Sequence, residues 1–520
     1  MSSKVNNALF DLIHSLTKSE KRYFKLMSSR HAIGGENNYI VLFDAIDKQT
    51  AYDEDKIFKT FKGEAFLNRF SITKKRLYDH ILSSLDAFHS INSTEAQLHK
   101  MLHSFEILFE KSLYDQSRRI LRSAGKLASK NEMHEILLLI AKKERKLIET
   151  EGNELISNER IEQLSVKLNK SISEVSLLDA VWCLKSQLFV LLSKKGIARN
   201  NEEIQVYKAI CIPILGEIKI DAESSIEIQY LLFHTLSAYY YAIGDMEKSL
   251  EQLELNLLLF EREKGILNID ANKQVSVFTN AIYVSDRLGF HKESMKYLVQ
   301  LKKFANLIEP NEDLTIKLFS SISSIEFSLF IRKGDFSGAQ MIAEKVEFQL
   351  GQFGDKVTPL RKAFLEFKLA VTAFGSQEYS KALYWVNQIL NNAELDKTED
   401  IVGFTQLLDL LIHIELNHNK LLPYSLKSTM RFFKTRNRLY DFEKMFLQFI
   451  GKLIKSEDKF EIESLWEELY KDLATITDNT FESIVLEYFD FKSWAESKMT
   501  RKSFNTVVQE KYSKSIRSAS

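Results

Sequence analysis

Apolar residues recur at spacings of three and four through residues 233–260, which read FHTLSAYYYAIGDMEKSLEQLELNLLLF. This periodicity places the apolar residues of each half on one face of a helix. The first stripe consists of Phe233, Leu236 and Tyr240, and the second of Leu250, Leu253, Leu257 and Phe260. Neither helix can bury its own stripe, so the segment predicts two amphipathic helices packed as a hairpin that needs further neighbours.

The predicted turn of this hairpin lies at Gly244 and Asp245. Glycine supplies the positive φ that a helix C-terminus commonly requires. Aspartate then accepts hydrogen bonds from the free amides that open the next helix. Ser237 is small and lies within the first stripe, where a neighbouring helix can approach closely.

Similar turns recur along the chain at a nearly constant spacing. Gly289 lies 45 positions after Gly244 (289 minus 244), and Gly334 lies another 45 positions on (334 minus 289). The opening of a second helix is repeated at Ala339 and again 43 positions later at Ala382 (382 minus 339). This regularity predicts an array of helical hairpins.

The pattern resembles the tetratricopeptide repeat, in which large, small and aromatic residues precede a Gly-Asp turn and a small residue follows it. In the best unit the matching residues are Phe233, Leu236, Ser237, Tyr240, Gly244, Asp245 and Ser249. In later units the turn and small positions are Gly289 with Ser294, Gly334-Asp335 with Ala339, and Ala382. The chain departs from the family at Asn256, where a second small residue is expected.

The spacing itself leaves a second repeat class open. Tetratricopeptide units have a period of about 34 residues, whereas HEAT-type helical units run about 40–47. The Gly-Asp turn favours a long tetratricopeptide-like unit. We therefore predict an all-α chain that forms a right-handed α-solenoid of tandem hairpins, with an N-terminal helical bundle.

Composition agrees with a nearly all-helical protein. The chain of 520 residues has only 17 glycines and 4 prolines, which sheets and long loops would need in larger numbers. Lysine plus arginine equals aspartate plus glutamate, at 71 each, so no global charge attracts nucleic acid or an anionic membrane. The two cysteines, Cys183 and Cys211, are expected to lie reduced in helix cores.

No targeting or membrane segment is expected. The N-terminus lacks an apolar secretory core, and the apolar run 176–193 is interrupted by Asp179 and Lys185. A cytoplasmic, soluble protein with no membrane association is the resulting prediction.

Three regions follow from the pattern. Residues 1–95 form an N-terminal helical domain, 96–478 form about nine hairpins, and 479–520 form a capping helix and a basic tail. The hairpins are expected to turn near residues 113, 152, 196, 244, 289, 334, 377, 418 and 457. The closing helix is expected at 481–494, with the last dozen residues disordered.

Residues 53–88 read as helix, turn and long helix, which would suit a DNA-reading helix-turn-helix. Its candidate nucleic-acid contacts are Arg69, Lys74, Lys75 and Arg76. The alternative is a compact bundle that caps the hairpins and carries solvated charges.

Sequence motifs for catalysis are missing. Neither a phosphate-binding glycine loop, a GxSxG elbow nor an HExxH pair occurs, so we expect no enzyme activity and no cofactor. His99, His103 and Glu106 would share a helix face, but three ligands without a nearby cysteine make a weak zinc signal, and no metal is predicted.

A basic stripe is the most distinctive surface. Lys427, Arg431, Lys434 and Arg438 follow at spacings of four, three and four, beside an apolar face. Such a stripe could hold an acidic peptide or carboxylate, or contact nucleic-acid phosphates. The alternative is a solvated face balanced by Asp441 and Glu443.

Three functions remain open at this point. The first is a non-enzymatic scaffold that binds a peptide or a partner protein in the solenoid groove. The second is a regulator that resembles bacterial transcription regulators and joins tetratricopeptide-like repeats to an N-terminal DNA-binding or effector module. The third is a nucleic-acid-associated protein that uses the basic stripe. The partner, the process and the oligomeric state do not follow from the sequence.

Overall fold

The computed structural model is all-helical in the residues that it describes, which confirms the predicted all-α class. It describes residues 8–29, 38–90, 93–152, 157–217, 224–262, 270–308, 311–395, 400–478, 482, 485–486 and 488–519. Within these ranges the chain forms 24 α-helices, 3-10 helices that include Ala65–Arg69 and Gly354–Lys356, and no strand. The fold divides into two compact units, Met1–Ile172 and Ser173–Ser520.

The first unit begins with a bundle around one long helix. Its helices are α1 (Ala8–Ser15), α2 (Lys18–Ser29), α3 (Asn38–Asp47), α4 (Glu54–Thr60) and α5 (Phe70–His89). Helix α5 packs against α1, α2 and α3. The start of α2 is fixed locally, because Thr17 Oγ1 accepts from Glu20 N (3.3 Å) while Thr17 N donates to the Glu20 carboxylate (2.7 Å).

The first unit continues with three more helices. The helix after them begins in the first unit and ends in the second. They are α6 (Thr94–Glu110), α7 (Tyr114–Lys130) and α8 (His134–Glu151), followed by α9 (Asn158–Lys195). Helix α7 packs against both α6 and α8. Helix α9 continues without a break through residues 169–175. The stretch contains neither glycine nor proline, so nothing local stops the helix.

The second unit contains the regular hairpins. Its helices are α10 (Asn201–Glu217), α11 (Ile226–Ala242), α12 (Met246–Arg262), α13 (Ala271–Arg287), α14 (His291–Leu307), α15 (Glu312–Lys333), α16 (Phe336–Phe353), α17 (Pro359–Gly375), α18 (Tyr379–Asn391), α19 (Asp400–Glu415), α20 (Leu422–Thr435), α21 (Asp441–Lys455), α22 (Lys459–Asp478), α23 (Phe491–Thr500) and α24 (Phe504–Ala519). Consecutive helices pack in pairs, as predicted, from α11 with α12 to α17 with α18. Odd-numbered helices also pack on one another, α13 on α15 and α15 on α17.

Left-handed glycines close the regular turns. Gly244, Gly289 and Gly334 have φ of 85°, 80° and 69°, a conformation that costs glycine little. Asp245 Oδ1 accepts from Lys248 N (3.2 Å), and Asp335 Oδ1 accepts from Gly338 N (2.9 Å), so each aspartate caps the next helix. Tyr240 is half-buried. The small residues that follow the turns are all buried: Ser249, Ser294, Ala339 and Ala382.

The C-terminal region differs from the expectation. The chain forms helix from Phe491 to Thr500 and again from Phe504 to Ala519, rather than a helix at 481–494 with a disordered tail. Helix α24 packs on α15, and Gln509 Nε2 donates to Gly334 O at 2.9 Å. Phe504 and Val508 are buried, so an apolar face hidden among basic residues holds the tail in place.

In the part of the chain that the structure describes, two helices, α9 and α15, are long and apolar enough to cross a membrane by length and composition alone. Core helices of globular proteins pass the same test, and α15 packs against α13, α16, α17 and α24. Cys211 is buried as expected, whereas Cys183 is exposed, so the prediction that both cysteines lie in helix cores is wrong for Cys183.

Candidate functional site

Three members of the predicted basic stripe lie on the solvent face of α20. Lys427, Arg431 and Lys434 are exposed, while Leu422 and Phe433 on the opposite face are buried. The helix contains no acidic residue. Among the residues that the structure describes, no carboxylate lies within 4.0 Å of these three cations.

Tyr424 extends this surface by one helical turn. Its side chain is 76% exposed, and it precedes Lys427 by three positions, so the four residues form one continuous row. We call Tyr424, Lys427, Arg431 and Lys434 the α20 face. The row extends about 15 Å along the helix axis, which is long enough to contact several turns of a partner helix.

Arg438, the fourth residue of the predicted stripe, lies elsewhere. It follows the end of α20, and its guanidinium pairs with Asp400 and donates to Lys194 O. Its side chain is only 13% exposed. The prediction treated Arg438 as one row with Lys434, but the helix ends at Thr435, and the chain then turns the arginine toward the start of α19.

A buried ion network lies next to Arg438. Arg199 pairs with Glu443 (2.5 Å) and with Glu482, and all three side chains are at most 8% exposed. Glu482 also accepts from Phe442 N at 3.2 Å. The Tyr440 ring lies 4.2 Å from the Arg199 guanidinium, a cation–π contact. The two glutamates share the single charge of Arg199, and the network ties together segments of the second unit that are far apart in sequence.

The same network involves the turn between α9 and α10. Arg199 N donates to Glu203 Oε2 (2.8 Å), and Tyr440 Oη donates to Glu203 Oε1 (2.7 Å). Asp400 is half-buried, with 30% of its side chain exposed, and desolvation raises its carboxyl pKa despite the Arg438 charge beside it. The network was not predictable from sequence, because Arg199 and its ion-pair partners Glu443 and Glu482 are separated by more than 200 positions.

The C-terminal segment covers part of the surface where a groove ligand was expected. Tyr488 stacks on Phe404 of α19 (3.7 Å) and meets Phe367 of α17 edge-on (6.1 Å). Phe491 packs against Phe442 of α21 (5.0 Å). Along α17, α19 and α21, therefore, the chain itself fills the surface between the odd-numbered helices.

The four candidate nucleic-acid contacts of the N-terminal domain differ in their exposure to solvent. Arg69, Lys75 and Arg76 are exposed. Lys74 is half-buried, pairs with Glu54 (2.7 Å) and lies over the Phe70 ring (4.9 Å). Its hydrogen bonds to Glu54 and Tyr52 outweigh burial and raise its ammonium pKa. Lys74 therefore helps hold the bundle together.

The weak metal spacing on α6 is also occupied by ordinary contacts. Glu106 pairs with Lys143 and Lys146, and this holds its carboxyl pKa below the usual value. His99 lies 3.9 Å from Glu95. Across the described ranges, no group of three or more His, Cys, Asp or Glu residues is arranged to hold a metal ion.

No protein-family model and no curated protein matches this chain. The candidate site therefore depends on geometry and charge alone.

Proposed function

We propose that this chain is a tetratricopeptide-like α-solenoid that acts in the cytoplasm as a non-enzymatic scaffold, and that its α20 face binds an acidic segment of a partner protein. The observation that carries the proposal is the set of exposed cations Lys427, Arg431 and Lys434 without a carboxylate partner among the described residues. Packed consecutive pairs and capped glycine turns support the solenoid.

The chemistry of the α20 face favours an acidic protein segment. An exposed tyrosine and leucine, Tyr424 and Leu421 (76% and 53%), lie beside the cations. Tyrosine and arginine are enriched where interfaces derive most of their energy, and the arginine fork suits a carboxylate. A partner helix with acidic residues at spacings of three and four would match the row. The odd-numbered helices α17, α19 and α21 are already covered by the C-terminal segment.

The test compares two charge-reversed proteins. The variant K427E/R431E/K434E changes the α20 face, and K292E/K296E/K303E makes the same charge change on exposed lysines of α14. Affinity capture with nuclease present should recover an acidic partner with the native chain and the α14 variant, but not with the α20 variant. Reversing the partner's own acidic residues to lysine should restore its binding to the α20 variant.

Two results would contradict the proposal. One is equal capture by the native chain and the α20 variant. The other is loss of all captured protein after nuclease treatment, which would make nucleic acid the ligand of the α20 face.

A further inference from the structure

A second group of cations lies on the odd-numbered helices, away from α20. His234 of α11 is its centre: the imidazole is 6% exposed, and its Nδ1 is buried without a hydrogen-bond partner. A buried polar atom without a partner costs about 1–3 kcal/mol. Such an atom therefore calls for a ligand or another explanation.

Lys185 and Lys317 are near enough for their positive charges to lower the pKa of this imidazole. Lys185 Nζ lies 5.7 Å from the Phe189 ring centroid, and the Phe189 ring is stacked on His234 at 5.8 Å and 10°. Both ammonium groups are half-buried. The pKa of each is lowered, first by burial and then by neighbouring positive charge. Each lysine therefore lies where its charge is poorly compensated.

The position of Lys317 is fixed by α13. Its Nζ donates to Asn272 O and to Ser276 Oγ, both at 2.7 Å. Both acceptors are uncharged, so the ammonium keeps its full charge and one further proton to donate. Arg361 of α17 adds positive charge on the other side of Lys317.

Two acidic groups near the cluster, Glu227 and Asp270, have other partners. Glu227 is paired with Lys273 at 2.7 Å. Asp270 accepts from Asn272 N (2.8 Å) as the cap of α13. Asp270 and Asp313 raise the Lys317 pKa by charge, but less than burial and Arg361 lower it. Within the described residues, neither Lys185 nor Lys317 has a carboxylate within 4.0 Å.

We propose that Lys185, His234 and Lys317 form a binding site for a phosphate group. Two ammonium groups and a neutral imidazole N–H provide donors from three helices. A phosphate carries about −1.5 to −2 charges near neutral pH, which balances two lysines, whereas a carboxylate balances only one. The site involves different residues from the α20 face and does not depend on the function proposed for it.

The histidine supplies a direct readout. In the free protein, burial and the two lysine charges lower the His234 pKa to about 3. A bound phosphate adds a negative partner and favours the imidazolium, so the pKa rises on binding. Ring-labelled histidine, assigned with the variant H234Q among the 11 histidines, reports this change by NMR.

The experiment titrates the full chain with inorganic phosphate and with pyrophosphate, followed by calorimetry and by the His234 signal. Saturable binding with an upward shift of the His234 pKa is expected. Lys185→Ala and Lys317→Ala should each weaken binding about tenfold or more, because each removes a charge-assisted hydrogen bond. Lys302→Ala, which removes a lysine paired with Glu326 on the surface, should leave affinity unchanged.

Either of two outcomes would overturn the proposal. One is no change in the His234 signal at phosphate concentrations up to about 10 mM, beyond which specific affinity is negligible. The other is equal phosphate affinity in the native chain and the two lysine variants. Because the NMR titration uses the native chain, the first outcome can be read even if a variant fails to fold.

Discussion

The Arg199 network and the α20 face contain the same residue types in opposite surroundings. Arg199 is nearly inaccessible and is held by two glutamates, whereas Arg431 is exposed with no carboxylate within 4.0 Å in the described chain. Removing a partner from a buried pair leaves an isolated charge, which is costly. Changing an exposed cation costs little. Stability therefore depends on the Arg199 network, whereas the charges of the α20 face are available for binding.

Arg199→Ala tests the buried region and has the largest expected effect. Glu443 and Glu482 would be left buried without their counter-charge, so the unfolding free energy should fall by about 3–5 kcal/mol. Urea denaturation followed by circular dichroism measures the loss. Arg501→Ala is the control, because the Arg501–Glu463 pair is exposed and should contribute less than about 1 kcal/mol. Equal losses of unfolding free energy in the two variants would contradict the contrast between buried and exposed charges.

Glu366 tests what a buried acid does without a close partner. Among the described residues its one cationic partner is Lys362, 3.9 Å away, and burial raises the carboxyl pKa from 4.5 to about 7. Between these values the folded chain binds the extra proton, so stability contributed by Glu366 is lost as pH rises. Glu366→Gln should match the native chain near pH 4.5 and exceed it by roughly 3 kcal/mol at pH 8.

Urea midpoints of both proteins at the two pH values give this measurement. A Glu366→Gln variant that is less stable than the native chain at pH 8 would show that the ionised carboxylate is stabilising, contrary to the account.

Two glycine substitutions separate backbone strain from docking of the C-terminal helix. Gly244→Ala and Gly334→Ala both place alanine at positive φ, which costs about 1–2 kcal/mol. Only at Gly334 would the new Cβ meet another element, 2.9 Å from Gln509 N and 3.0 Å from Asn505 O. Gly334→Ala should therefore lower the free energy of unfolding by about 1–3 kcal/mol more than Gly244→Ala does. Equal thermal shifts would mean that α24 is not packed there.

The α20 variant K427E/R431E/K434E has the smallest expected effect on stability. Its side chains are exposed and unpaired in the described chain, so the urea midpoint should correspond to a change within about 0.5 kcal/mol per site. A large loss would show that the α20 face is needed for folding, which would remove the basis for comparing it with the buried network.

Local features were predictable from sequence. The Gly-Asp turns depend only on residues that are close in sequence. Gly244 provides the left-handed conformation, and Asp245 caps the helix that follows. The same holds for the capping of α2 by Thr17 and Glu20. Pattern and spacing suffice wherever both partners lie in one helix or one turn.

Features that depend on distant residues were not predictable. Arg438 looked like a member of the stripe because its partner, Asp400, precedes it by 38 positions. Arg199 and Glu443 are 244 positions apart. The last dozen residues looked disordered because the basic residues of the tail outnumber its acids, yet α24 extends to Ala519 and is anchored by Phe504 and Val508, whose core contacts only the fold creates.

The most direct test of the central claim is a binding titration followed by fluorescence anisotropy. The probe is a labelled helical peptide with glutamates at spacings of three and four, matched to the α20 face. The native chain and the α14 variant should bind it with similar affinity, and K427E/R431E/K434E should bind more than about tenfold more weakly. Equal affinity in all three proteins would contradict the claim that the α20 face binds acidic partners.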